Sequence, residues 1–186
     1  MRSTPAGDKS HRAGKRHTLG GASAGMARWL VKEEPTHYAF ADLVRDGSAE
    51  WNGVHNALAL RHLKGMRPGD EVLYYHTGAE RAVVGLAKVA SVPRPDPHDD
   101  RGSWSVSIRP VRALGRRVAL ATLKGDPSLA GFDLVRIGRL SVMPVSEEQW
   151  RRILAHAAEA GPVAQSNSVG RRRKRRSASS RNRGST

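Results

Sequence analysis

The side chains in this chain that could do chemistry are aromatic and polar groups set at the ends of short apolar runs. Lys32 and Glu34 close Trp29-Leu-Val-Lys-Glu-Glu-Pro35, and Tyr75 and His76 close Glu71-Val-Leu-Tyr-Tyr-His76. Trp51 and Asn56 belong to Glu50-Trp-Asn-Gly-Val-His-Asn56, and Ser141 to Arg139-Leu-Ser-Val-Met-Pro-Val145. Rings beside amides, hydroxyls and single charges are suited to stacking and hydrogen bonding, which is recognition chemistry. Trp29, Trp104 and Trp150 recur with core periodicities and read as packing. Trp51 lies in a loop-like stretch, where a large ring has no core to fill, so it and Asn56 read as lining a site.

Other candidates fail on context. Gly21-Ala-Ser-Ala-Gly25 matches the G-x-S-x-G nucleophile elbow, but that motif needs a strand before it and a helix after it. Here it sits in a small-residue stretch with neither. Asp96-Pro-His-Asp-Asp100 offers an imidazole and three carboxylates, yet its prolines hold the stretch extended and space the ligands poorly around one ion. A solvated acidic loop is expected there, and no metal. No phosphate loop, dinucleotide fingerprint or nucleophile–base–carboxylate set is present, so no cofactor is expected and the chain reads as a non-enzyme. With no cysteine, disulfides and thiolate zinc sites are excluded.

The elements that must position these residues can be read from periodicity. A strand is expected over 27–32, ended by Pro35, then a helix over 38–45 closed by Asp46-Gly47. Asn56 is suited to cap a helix over 57–64. The turn Arg67-Pro-Gly-Asp70 launches a strand over 71–76. A third strand, 82–89, carries Gly85, which marks a bulge or the close approach of another group. After a proline-rich loop, 103–109 alternates cleanly as a strand, and 120–124 is a weak helical turn. A last strand over 139–145 precedes the capping box Ser146-Glu-Glu-Gln149. Its helix aligns Trp150, Ile153, Leu154 and Ala157 on one stripe. Five or six short strands among irregularly placed helices predict an α+β fold, a curled, mostly antiparallel sheet or small open barrel with peripheral helices.

Charge is distributed unevenly over the 186 residues. The formal net charge is +15, of which residues 1–25 and 161–186 carry +12 and residues 26–160 only +3. The expected organisation is a disordered basic tail over 1–25, one domain over 26–160 and a disordered Arg-rich tail over 161–186. Met26 is a candidate start. Arg171, Arg172, Arg173, Lys174, Arg175 and Arg176 form a run of six cations. Such a run gains sequence-blind, salt-dependent affinity from phosphates by releasing condensed counterions. The expected partner is nucleic acid, with oligomeric state left open. No apolar run is long enough to span a membrane. The expected location is cytosolic, or nucleoid-associated through charge, or nuclear if the run serves as an import signal.

From Met26 to His156 the motifs, taken in order, resemble the EVE domain of the PUA-like superfamily, which includes the thymocyte nuclear protein group. The resemblance implies a curled antiparallel β-barrel with helices around it and a pocket for one flipped base, modified cytosine in DNA being the leading ligand. The family's W-x-G-V-x-N segment falls on Trp51, Gly53, Val54 and Asn56. Its K-x-E-P falls on Lys32, Glu34 and Pro35, and its Y-H strand end on Tyr75 and His76. Ser141 falls in the R-L-S-V segment. The implied base pocket is therefore Lys32, Glu34, Trp51, Asn56, Tyr75, His76 and Ser141. Where the family has R-N-Y-Q-A this chain has His55-Asn-Ala-Leu-Ala59, so a cation, a tyrosine and an amide are missing. In such a site stacking holds the base without discriminating sequence, and Asn56, able to donate and accept, would read its edge. An RNA-binding or RNA-modification-associated factor, a nucleic-acid-processing enzyme on the same fold and a sequence-blind binder are the alternatives.

Overall fold

The computed structural model describes residues 25–158. The expectations for the two tails fall outside them. Seven strands form one curled mixed sheet: β1 (Arg28–Glu33), β2 (Ala49–Trp51), β3 (Glu71–His76), β4 (Ala82–Val89), β5 (Arg94–Pro95), β6 (Trp104–Ala119) and β7 (Val142–Pro144). Their order is β2-β6-β4-β3-β1-β7, with β5 paired separately to β6. Among the described residues five α-helices surround it, with one short 3-10 turn at Pro127–Leu129: α1 (Phe40–Asp46), α2 (Ala57–Gly65), α3 (Leu120–Gly125), α4 (Asp133–Arg136) and α5 (Glu147–Ala158).

All pairings are antiparallel except β1 with β3. A parallel pair needs a crossover, and here α1, β2 and α2 supply it. Its register runs unbroken from Arg28 opposite Glu71 to Glu33 opposite His76. Successive side chains therefore alternate between two faces. Val31, Glu33, Tyr74 and His76 share one face; Leu30, Lys32, Leu73 and Tyr75 share the other. This alternation governs the site.

The expected helix ends hold. The Asn56 side-chain oxygen accepts the Leu58 and Ala59 N–H groups at 3.0 Å each. Ser146 and Gln149 bond reciprocally, the Ser146 N–H donating to Gln149 Oε1 at 2.9 Å and the Gln149 N–H to Ser146 Oγ at 3.2 Å. On α5, Trp150 and Ile153 are buried, and Arg28 lies 5.4 Å from the Trp150 ring centroid. A Cβ on Gly85 would lie 2.4 Å from the Phe40 ring, so glycine is there because α1 presses on the sheet.

Three readings are corrected. β6 runs sixteen residues instead of seven, straight through Pro110. The proline sits where the register with β4 shifts, since Leu86 faces Arg112 while Ala87 faces Pro110. A bulge is where a strand tolerates a residue without N–H. The last strand is cut to three residues, with Ser141 in the bend before it. Residues 49–51 are a strand and not a loop, paired to β6 with Trp51 opposite Val106.

Candidate functional site

Strand alternation divides the seven expected pocket residues. Trp51 joins the face of Val31, Glu33, Tyr74 and His76, its ring 5.7 Å from that of Tyr74 and edge-on at 84°. It is 7 % exposed, so it has the core contacts that a loop ring would lack. What it still presents is one wall of a cavity of about 200 Å³ shared with Glu33, Tyr38, Ala49, Glu50 and Asn52.

Each of those neighbours has a distinct capacity. Glu33 is half-buried; one oxygen accepts the Glu34 N–H at 2.9 Å, and the other has no hydrogen bond among the described residues. Burial raises its carboxyl above the ordinary range, and the bond from Glu34 opposes that only in part. The Tyr38 hydroxyl donates to Asp46 Oδ2 at 2.9 Å. Desolvation first, then that carboxylate, push its pKa up to about 12, so it stays a neutral ring. Tyr74 beneath donates to the Tyr38 carbonyl at 2.9 Å, which seats the segment before α1. The Glu50 carboxylate receives Arg94 at 3.0 Å and the Ser107 hydroxyl. Asn52 is exposed, and its amide makes no side-chain bond among the described residues. Gly53, at φ +66, turns the chain there.

Asn56 lies elsewhere, exposed, its oxygen committed to capping α2. His76 is buried under α1. Its Nε2 accepts the Phe40 N–H at 3.0 Å, which requires the proton on Nδ1, 2.5 Å from Glu80 Oε2. Burial alone would raise the Glu80 carboxyl, but bonds from His76 and Arg117 outweigh it and hold the group low. His76 thus pins α1 to the sheet.

Lys32 and Tyr75 stand side by side on the opposite face, lining a second cavity of about 230 Å³. Glu34 ends there too, accepting the Thr77 hydroxyl at 2.8 Å and filling the space beside Gly78. Ser141 contributes its carbonyl, which accepts the Lys32 N–H at 2.9 Å. The structure therefore brings Lys32, Glu34, Tyr75 and Ser141 together and keeps Trp51 apart from them. Glu33, Tyr38 and Asn52 escaped the sequence reading. The parity of β1 was the available signal, because Glu33 and not Glu34 shares a face with Tyr74 and His76.

The acidic stretch is the exposed loop expected, folded into turns by its own carboxylates. Asp96 is buried and accepts the His98 N–H at 3.0 Å, while Asp99 accepts the N–H groups of Arg101 and Ser103. Among the described residues no group of three acidic or imidazole side chains could hold a metal, and no helix is long and apolar enough to cross a membrane.

The EVE domain family model matches residues 27–156, the whole of this sheet and its helices up to the last turn of α5. The chain belongs to the EVE domain family. Mouse thymocyte nuclear protein 1 is 31 % identical over 163 residues, covering 68 % of this chain and 72 % of that protein. Among solved structures, Rpa0253 from Rhodopseudomonas palustris is 36 % identical, with TM-score 0.68 over 71 % of this chain and 93 % of its own. The human THYN1 protein, solved in complex with 5-methylcytosine-containing DNA, is 26 % identical, with TM-score 0.66 over 73 % and 99 %. The curled half-barrel with peripheral helices is the PUA-like EVE fold that the sequence motifs implied. The departure at residues 55–59 is now placed: in this EVE domain that segment opens α2, away from the cavity at Trp51.

Proposed function

We propose that this EVE domain binds nucleic acid and receives one flipped base in the cavity of Glu33, Tyr38, Ala49, Trp51 and Asn52, with modified cytosine in DNA as its preferred ligand. The reading is one of binding without turnover. The observation that carries it is the composition of that cavity: aromatic walls, a half-buried carboxylate and an unpaired amide within one small volume. The likeness to a protein solved with 5-methylcytosine-containing DNA supports the choice of base.

The chemistry matches cytosine. Its N4 amino group donates, and a carboxylate is the natural acceptor for it. Glu33 has an oxygen left for that bond. The Asn52 amide can donate to the acceptors on the same base edge. Extruding a base costs a few kcal/mol, and stacking returns about 1–3 kcal/mol. Tyr38 offers the more exposed ring, being half-buried where Trp51 is buried. A 5-methyl group would rest on Ala49 and Trp51, a difference of about 1–3 kcal/mol between ligands.

Glu33→Ala and Asn52→Ala are expected to weaken binding of a 5-methylcytosine duplex far more than of its unmodified twin, read by fluorescence anisotropy. Equal losses on both duplexes would refute the pocket. A matching RNA panel completes the test, and tighter binding to RNA would reassign the ligand.

A further inference from the structure

The second cavity, on the far face of the sheet, has a chemistry that base reading does not use. Lys32 reaches it half-buried, its Nζ donating to the Gly138 carbonyl at 2.5 Å with two protons left over. Arg81 lines it from the β3–β4 turn. Neither cation forms an ion pair among the described residues. Glu34 is turned onto the Thr77 hydroxyl and Gly78. Tyr75 is 3 % exposed, yet its hydroxyl has no hydrogen-bond partner there. No buried side-chain polar atom is left unsatisfied in the described protein, so that hydroxyl opens on the cavity it lines. Leu120 and Leu134 give the cavity an apolar wall.

Two further facts agree with an anion there. Desolvation lowers the Lys32 ammonium, and no carboxylate acts to raise it. Arg81 holds φ at 42°, uncommon for a residue with a side chain. Its carbonyl accepts the Leu120 N–H at 2.7 Å, which ties that backbone to the start of α3 beside the cavity.

The geometry points to a phosphate-binding site formed by Lys32, Tyr75 and Arg81, on the opposite face from the base pocket and independent of it. Two cations and a phenol supply charge-assisted donors to one tetrahedral anion. The phosphate could belong to a nucleic-acid strand passing the ends of β1 and β3 or to a small free phosphate.

The test is calorimetric titration of the full chain with inorganic phosphate, and separately with an unmodified DNA duplex. Wild type is compared with Lys32→Gln, Arg81→Gln and Tyr75→Phe. The basic tail is present in every variant, so its contribution cancels. Phosphate affinity is expected to fall about tenfold or more in each glutamine variant and less in Tyr75→Phe. Lys32→Arg, which keeps the charge, should retain most of it and guards against misfolding. If duplex affinity falls in parallel, and phosphate competes with the duplex, the source is the strand. If only phosphate binding falls, the source is a free phosphate. Unchanged phosphate affinity in both glutamine variants, with their thermal melts intact, overturns the site.

Discussion

Asn56 and Asn52 are four residues apart and sit in different surroundings, one capping α2 and the other lining the cavity beside Trp51. Asn56 spends its oxygen on two N–H groups at the start of α2. Asn56→Ala is therefore expected to cost about 0.5–2 kcal/mol in urea unfolding while the preference among bases stays as it was. Asn52→Ala should do the reverse, moving stability by no more than about 0.5 kcal/mol and weakening base binding. The capping role of Asn56 was legible, because a cap is a local property of sequence. The site role was not, because which amide reaches a cavity depends on Gly53 and on how β2 lies against β6. Trp51 carries the same lesson: its pairing with Val106 is a non-local fact that made a loop ring into a core ring.

At the level of elements, the contacts that hold the site are those that fix α1 and α5. Phe40 sits on the bare backbone of Gly85, so Gly85→Ala should destabilise by about 1–3 kcal/mol through overpacking, seen as a lowered midpoint of urea unfolding. The end of α3 is tied to α5 through buried Asp126, which receives Ser128, Arg152 and His156. Those bonds, Ser128 first, hold its carboxyl well below the usual range. A depressed carboxyl stabilises fully above its unfolded value of about 3.9 and loses that contribution as pH falls toward its folded one. Wild type should therefore lose stability between about pH 4 and pH 2 more steeply than Asp126→Asn, in chemical melts run across that window. Parallel curves would deny the tie its role. Most strands and helices were readable from alternation and caps. The full length of β6 was not, because only the shifted register against β4 explains how a strand runs through Pro110.

For the molecule as a whole, +12 of the +15 charge lies outside residues 26–160, so adhesion and choice are expected to come from different parts of the chain. The run from Arg171 to Arg176 lies outside the described residues, and its expected part is affinity for phosphate at large. Ending the chain at residue 160 removes eight cations and should flatten the dependence of log affinity on log salt by up to about 7, if all eight meet phosphates. The ratio between modified and unmodified ligands should survive. The likeness of residues 27–156 to the EVE family was legible because several short motifs stood in order. The division of the expected site between two faces was not, because motif order does not record parity in a strand.

If the cavity beside Trp51 selects the base, filling that cavity should abolish the selection. Ala49→Leu places a larger apolar side chain into the space where a base and its methyl group would sit. The ratio of affinities for duplexes carrying one 5-methylcytosine or one cytosine should be well above one for wild type and for Lys32→Gln. For Ala49→Leu it should collapse to about one. A ratio that survives Ala49→Leu, or that is lost in Lys32→Gln, would mean that the base is chosen elsewhere.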